Sequence, residues 1–293
     1  MAKVNSIYVD EVYSTVVVEN LRPNSFLVEG VTYNPNYDKG DPKAGVVWYH
    51  KIEKNRKGSQ AVGGDYTKEA PANKLIPIYV TNAFRRSTEL RGVVVDEINA
   101  PFVDKVASNQ AEDIREDKDA CAIASLVYGG TASEDTAETT VENVIKNIVA
   151  LKTSLTKKNA RPNVLLISPD VESVLTQAHL TKAIYTPVTN DALIKAGAIG
   201  TYMGLTIFTR PELGASENSA IIYRNDQERT VDLSQCEMIM YDAKYFGKVD
   251  TFNEARIIPS ERFAGMLANV EQNCGFGVTD TNAVAVKNKA MAA

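Results

Sequence analysis

Between residues 139 and 209 the apolar positions fall into short, sharply bounded patterns. Val141, Val144, Ile145, Ile148, Val149 and Leu155 recur at helical spacing, leaving Lys146, Asn147 and Lys152 for the wet face. Thr139 with Glu142 three residues later predicts a capping box at the start of this helix. Lys157-Lys158-Asn159 predicts its end, with cations where the dipole favours them and an asparagine that tolerates the left-handed conformation. The run Val164-Leu165-Leu166-Ile167, bounded by turn residues, predicts a strand buried on both faces. Ser168-Pro169-Asp170 opens a second helix with a hydroxyl cap, a proline at the first position and an acid in the first turn. Val171, Val174, Leu175 and Ala178 supply its apolar stripe. Asn190 and Asp191 open a short third helix that Gly197 closes, and 203–209 reads as a strand stopped by Pro211. The alternation predicts an α/β module around a small sheet.

The flanking sequence is patterned differently. Residues 1–31 have strand-forming character without a helical period, and Asn20, Pro23 and Asn24 interrupt it. Such a segment has little capacity for a core of its own and predicts an arm lying against something else. After a loop at 33–41, strands are predicted at 46–52 and 75–80, and Pro77 confines the second to an edge. The polar connection between them, about twenty residues, is well above the usual hairpin loop and predicts a long projecting β-loop. Pro101 begins a helix carrying Val103, Val106, Ala107, Ile114, Cys121, Ala122 and Leu126, stopped by Gly129-Gly130. Its middle, from Glu112 to Asp119, is almost all charge. It reads either as a solvated helix, with Glu112–Glu116 opposed and Arg115–Asp119 attractive, or as an exposed spine that meets other subunits. A polar linker at 131–138 leads into the module. Beyond it, strands are predicted at 220–223 and 238–241, then β-rich stretches at 246–250, 254–260, 265–278 and 283–287.

Composition narrows the chemistry. A chain of 293 residues can bury a sizeable core in one or two domains. A net charge of −5 argues against a dedicated nucleic-acid reader, while leaving room for contact through a local basic patch. Cys121, Cys236 and Cys274 are odd in number and far apart, so they predict buried small hydrophobes in a reducing compartment rather than disulfides or a zinc site. The N-terminus lacks the apolar core of a secretion signal, and no apolar run is long enough to span a bilayer. His50 and His179 sit on different elements and read as structural. Ser216 lacks the second glycine of a nucleophile elbow, and no Walker A stretch is present. Gly197, Gly200 and Gly204 follow a helix and precede a strand, the reverse of a phosphate cradle, so they read as turn glycines. Asp226, Glu228 and Asp232 lack EF-hand spacing and read as a solvated turn. No catalytic, cofactor-binding or metal residue is assigned, and the expectation is a protein that is not an enzyme and needs no cofactor.

Taken in order, these elements resemble the major capsid protein of tailed double-stranded-DNA bacteriophages, the Hong Kong 97 fold. The local carriers are Ala111-Glu112-Asp113 through Leu126-Val127-Tyr128-Gly129 and Asn163-Val164-Leu165-Leu166-Ile167-Ser168-Pro169. Residues 199–208, and Gly275-Phe276-Gly277-Val278-Thr279 to Ala283-Val284-Ala285-Val286, add to them. The resemblance covers nearly the whole chain. It implies an α+β fold with an N-terminal arm (1–32), an extended β-loop (33–80) and a peripheral domain with a spine helix (81–138). An axial domain (139–242) and a return to the peripheral domain (243–293) would complete it.

What the resemblance implies is a self-assembling structural subunit of an icosahedral head, built of hexamers and pentamers and enclosing double-stranded DNA by non-specific contact. The subunit would be made in the host bacterial cytoplasm, reside in the virion and involve no membrane. Trp48, Tyr49 and Tyr66 become candidate intersubunit contacts, and Arg56 and Lys57 candidate partners for acids on a neighbouring spine. The chain enters its arm almost at once, so scaffolding is expected from a separate protein, with a portal and a decoration protein as further partners. No motif supports the covalent lysine–asparagine cross-links of some relatives. Two alternatives stand beside this reading. An encapsulin-type cargo shell has the same fold, forms without scaffold, portal or DNA and carries an inner cargo pocket, although the length of the arm leans towards the phage. A soluble α/β enzyme would need a concave, titratable pocket, against which the overlong arms and missing catalytic constellation count.

Overall fold

A computed structural model of the chain describes residues 22–38, 45–53, 62, 72–91, 101–133, 137–182, 184–215, 219–224, 227–262 and 265–289. Three strands, β1 (Val46–Ile52), β2 (Asn73–Tyr79) and β3 (Asn82–Arg91), precede the long helix α1 (Pro101–Gly129). Then come β4 (Thr131–Ala132), α2 (Val144–Lys157), β5 (Val164–Ile167), α3 (Pro169–Lys182) and α4 (Asp191–Lys195). The remainder is β6 (Ala198–Tyr202), β7 (Leu205–Thr209), β8 (Ser219–Arg224), β9 (Gln227–Asp232) and β10 (Cys236–Tyr241). Last are β11 (Phe246–Pro259), β12 (Gly265–Val278) and β13 (Val284–Asn288).

The apolar run of β5 lies within a six-stranded sheet of order β4-β13-β10-β5-β7-β6, antiparallel to β10 and parallel to β7. All four of its side chains are fully buried, as a strand covered on both faces requires. Alternation sends Val164 and Leu166 into one core with Phe26 and residues 121–124 and Leu126 of α1. Leu165 and Ile167 enter a second core under α2 and α3, with Ile148, Leu151, Leu155, Val171 and Leu175. The helix signals around it hold. The Val171 N–H donates to the Ser168 hydroxyl at 3.3 Å, the Ala192 N–H to the Asn190 side chain at 2.9 Å, and Asn159 takes φ 65° after α2.

Several expectations are corrected. The capping box at Thr139 does not form, because the Thr139 hydroxyl donates to Glu237 at 2.7 Å across the module. The chain turns at 141–143 and α2 starts at Val144, with the Thr140 N–H donating to Asn143 at 2.7 Å. Val141 therefore falls outside the stripe, and it and Val149 are exposed. Asn147, expected in water, is 4 % exposed. Its amide reaches Thr139 and Asn143, and a satisfied amide is tolerated inside. Met203 and Gly204 are not strand but the two-residue turn between β6 and β7, both left-handed at φ 51° and 79°, as a tight hairpin demands. Glu228 and Asp232 belong to β9, which pairs with β8, rather than to a solvated turn; Asp226 lies outside the described residues.

Three further differences concern the strands that flank the module. β3, which no apolar alternation announced, pairs with β12 along ten positions, and β11-β12-β3 form a second sheet. The pieces read at 246–250 and 254–260 are one strand, β11, interrupted by a bulge between Asp250 and Phe252. β13, grouped by sequence with the peripheral part, instead runs antiparallel to β10 in the central sheet, and β4 from the polar linker adds to it in parallel.

Cys121, Cys236 and Cys274 are free and buried. Burial pushes the Cys236 and Cys274 thiols up to about 12 and Cys121 further still. Since the thiolate is the reactive form, an aromatic disulfide reagent is expected to titrate none of them in native buffer and all three after denaturation. Native reaction at any of them would contradict this packing.

Candidate functional site

The residues singled out from the sequence lie on or beside three features: the long helix α1, the segment that straps across it, and the ribbon of β1 and β2. The charged middle of α1 pairs differently from the expectation. Arg115 pairs with Glu112 at 2.6 Å, one turn back, and donates to the Pro23 carbonyl at 3.1 Å, not to Asp119. Arg22 pairs with Asp113 at 2.6 Å, Arg86 of β3 with Asp117, and Lys118 with Asp250 of β11 at 3.2 Å. These half-exposed pairs are worth roughly 0–1 kcal/mol each. Burial raises the Asp117 carboxyl despite Arg86, whereas at Asp250 Lys118 and Lys248 outweigh burial and hold it low. A run expected to face water or neighbours is thus largely engaged within its own subunit.

Asp119 points inward. It is 2 % exposed and meets Arg210, equally buried, at 3.0 Å. Arg210, just after β7, also grips Glu212 through two nitrogens at 2.5 and 3.1 Å and donates to the Asn24 carbonyl. Its guanidinium lies 5.1 Å from the centre of the buried Phe26 ring. The Ser25 hydroxyl donates to Asp119 at 2.8 Å. Residues 22–32 therefore form a strap across the spine, held at a charged cluster. Sequence reasoning missed Arg210; its one signal is a lone cation ending an apolar strand.

The ribbon has two unlike faces, because alternate side chains of paired strands point to opposite sides. Val47, Tyr49 and Ile78 face the body. The Tyr49 ring stands edge-on to Tyr37 with centroids 4.7 Å apart, and its hydroxyl donates to the Tyr37 carbonyl. Lys51 pairs with Asp280 at 2.6 Å; against the effect of partial burial, this contact helps hold the Asp280 carboxyl low. At its root the ribbon crosses β12 so closely that a Cβ on Gly275 would lie 2.3 Å from the Tyr79 carbonyl oxygen. On the other face, Trp48 is opposite Pro77 and His50 opposite Leu75. Trp48, Ile52 and Leu75 are 55 %, 70 % and 48 % exposed.

Of the candidate contacts, then, Trp48 stands on the outer face and Tyr49 turns inward onto its own chain. Arg56, Lys57 and Tyr66 lie outside the described residues. Ile52 and Leu75 were missed, although period-two spacing from Trp48 and the pairing of two predicted strands would have found them. A cleft of 540 Å³ beside the Lys51–Glu53 end of the ribbon is lined by Lys51, Glu53, Lys158, Tyr245 and Asp280 among others. His50 contacts Asn73 at 2.7 Å, and His179 accepts the Tyr185 N–H at 3.2 Å while stacking on its ring, both structural arrangements. Among the described residues no group of acids, histidines or cysteines has the geometry of a metal site, and no helix is long and apolar enough to cross a membrane.

No protein-family model and no curated protein matches the chain. Solved structures do, over nearly its full length. A chain from Mycobacterium phage Che8 is similar at 16 % identity and a TM-score of 0.70, covering 97 % of this chain and 98 % of its own. The capsid structure of Cyanophage P-SCSP1u is similar at 9 % identity and 0.69, with 96 % and 93 % covered. The mature capsid of bacteriophage PhiM1 is similar at 12 % and 0.66, with 97 % and 92 % covered. The chain has the α+β Hong Kong 97-like capsid fold, and the resemblance drawn from its sequence is borne out at the level of that fold.

Proposed function

We propose that the chain is a major capsid protein: the self-assembling subunit of an icosahedral bacteriophage head that encloses double-stranded DNA. It acts as a structural protein rather than a catalyst, in hexamers and pentamers. Its site of synthesis is the host cytoplasm and its destination the virion. A separate scaffolding protein and a portal serve assembly, and DNA is held by non-specific contact.

The observation that carries this reading is the outer face of the ribbon on a fold shared end to end with capsid chains. A two-stranded ribbon is marginal in water by itself, and here it exposes Trp48, Ile52 and Leu75 on one side. An apolar face of that kind is stabilised when a second copy covers it, with large aromatic side chains as the usual anchors.

Sedimentation and negative-stain microscopy of the purified protein test the reading. Closed shells or free hexamers and pentamers support it, and dependence on a co-expressed partner separates a phage head from a cargo shell. A compact monomer at every concentration overturns it. Trp48 is the only tryptophan of the chain, so its emission reports directly on the ribbon. The emission maximum is expected to shift to the blue as shells form. Shells that assemble with no such shift would remove Trp48 from the interface.

A further inference from the structure

Strand β8 ends in a half-buried cation. Alternation puts Arg224 on the same side of the strand as the buried Ala220 and Ile222, facing the end of α1. Its guanidinium lies 4.6 Å from the centre of the Tyr128 ring. The backbone beside it is fixed from the junction of β2 and β3. The Thr81 hydroxyl donates to the Tyr223 carbonyl at 2.7 Å, and the Tyr223 N–H donates to the buried Asn82 at 2.9 Å. Among the described residues no carboxylate pairs with Arg224; the titratable groups around it are the Tyr128 and Tyr79 phenols and the Cys121 thiol. Burial pulls the guanidinium down from its ordinary value, and these groups offset that only in part. A guanidinium nevertheless keeps its charge, and a charge drawn from water without a counterpart is costly.

We propose that Arg224 is the receptor for a carboxylate of a second copy of the chain. The contact rests on the capsid reading and adds a charged anchor to it. A guanidinium presents paired N–H donors that match a carboxylate, and stacking on Tyr128 holds that fork in place before a partner arrives. The rim is aromatic and apolar, since Tyr128, Ile221 and Tyr223 are exposed. Tyrosine and arginine are the side chains that most often anchor protein interfaces. The site also adjoins the root of the ribbon, where Tyr79 ends β2 and Thr81 reaches Tyr223. A copy that covers the ribbon therefore has Arg224 at the edge of its footprint. A single carboxylate fits better here than the phosphates of DNA. Glu228 and Asp232 stand exposed on the paired strand β9, and the nearby end of α1 is the negative pole of that helix. A polyanion would be repelled by all three.

Arg224→Met keeps the apolar contact with Tyr128 and removes the charge. Urea unfolding of the unassembled subunit is expected to show stability equal to the parent or above it, because an unbalanced cation is gone. The protein concentration at which half of the folded subunits enter shells, read by sedimentation, is expected to rise at least about tenfold. Arg229→Gln on β9, whose guanidinium bonds to Gln227 of its own strand, is the control and should assemble as the parent does. The assembly concentration decides. Folded Arg224→Met that assembles at the parent's concentration overturns the contact alone. Loss of packaged DNA from such shells would then assign the guanidinium to phosphate, and a destabilised subunit would make it the cation that the last turn of α1 lacks. Arg224→Gln supplies the same test if the methionine variant does not fold. A parent chain that never leaves the monomer overturns the capsid reading and this contact with it.

Discussion

Replacing Arg210 with Met is expected to destabilise the unassembled subunit by roughly 3–5 kcal/mol, the cost of breaking a buried ion pair from one side. Arg210 is held by Asp119 and Glu212 and in turn holds the Asn24 carbonyl, so its loss leaves several buried groups unmatched. Methionine retains most of the apolar contact with Phe26 but supplies no donor. Removing Asp119 as well, in Asp119→Leu/Arg210→Met, should recover a large part of the loss, because neighbouring substitutions in one network do not add. Urea unfolding followed by circular dichroism gives both numbers. A single-variant loss below about 1 kcal/mol, in the range of surface pairs, would mean that the cluster is better hydrated than its burial indicates.

The second large effect lies at the root of the ribbon. Gly275→Ala places a methyl group 2.3 Å from the Tyr79 carbonyl oxygen, 2.9 Å from its carbon and 3.0 Å from the Val80 Cα. These are backbone atoms, which cannot rotate away, so either β12 or the ribbon must move. Overpacking of this kind costs about 1–3 kcal/mol, and the upper end applies where backbone meets backbone. Because Ile78 and Val249 pack beside the crossing, the shift is expected to tilt the whole ribbon and accelerate amide exchange in β1 and β2. Gly45→Ala is the control, since a Cβ there has nothing within 4 Å. Its stability should stay within about 0.5 kcal/mol of the parent. Equal behaviour of the two variants would show that the close approach at Gly275 does not set the ribbon's position.

What was legible in the chain follows from how far each signal reaches. β5, the cap of α3 at Ser168, the short helix after Asn190 and the left-handed Asn159 are local matters of apolar runs and backbone preference. All are legible in the sequence and present in the fold. The capping box at Thr139 was equally local, and it failed because Glu237, nearly a hundred residues away, competes for the hydroxyl. β3 left no trace because its partners supply what alternation could not. Arg85 meets Glu271 opposite it at 2.8 Å, and Ser87 meets Asn269 at 2.6 Å.

By itself the sequence determined the long helix from Pro101, the buried strand β5 and the capped helices that follow it. These are properties of neighbouring residues and their periods. The tertiary structure alone decided that Asp119 faces inward to Arg210, that Tyr49 and Trp48 take opposite sides of the ribbon, and that β13 joins the central sheet. Each of these pairs residues distant in sequence. A side chain's charge or size states what it requires, but only the folded chain brings the group that satisfies it.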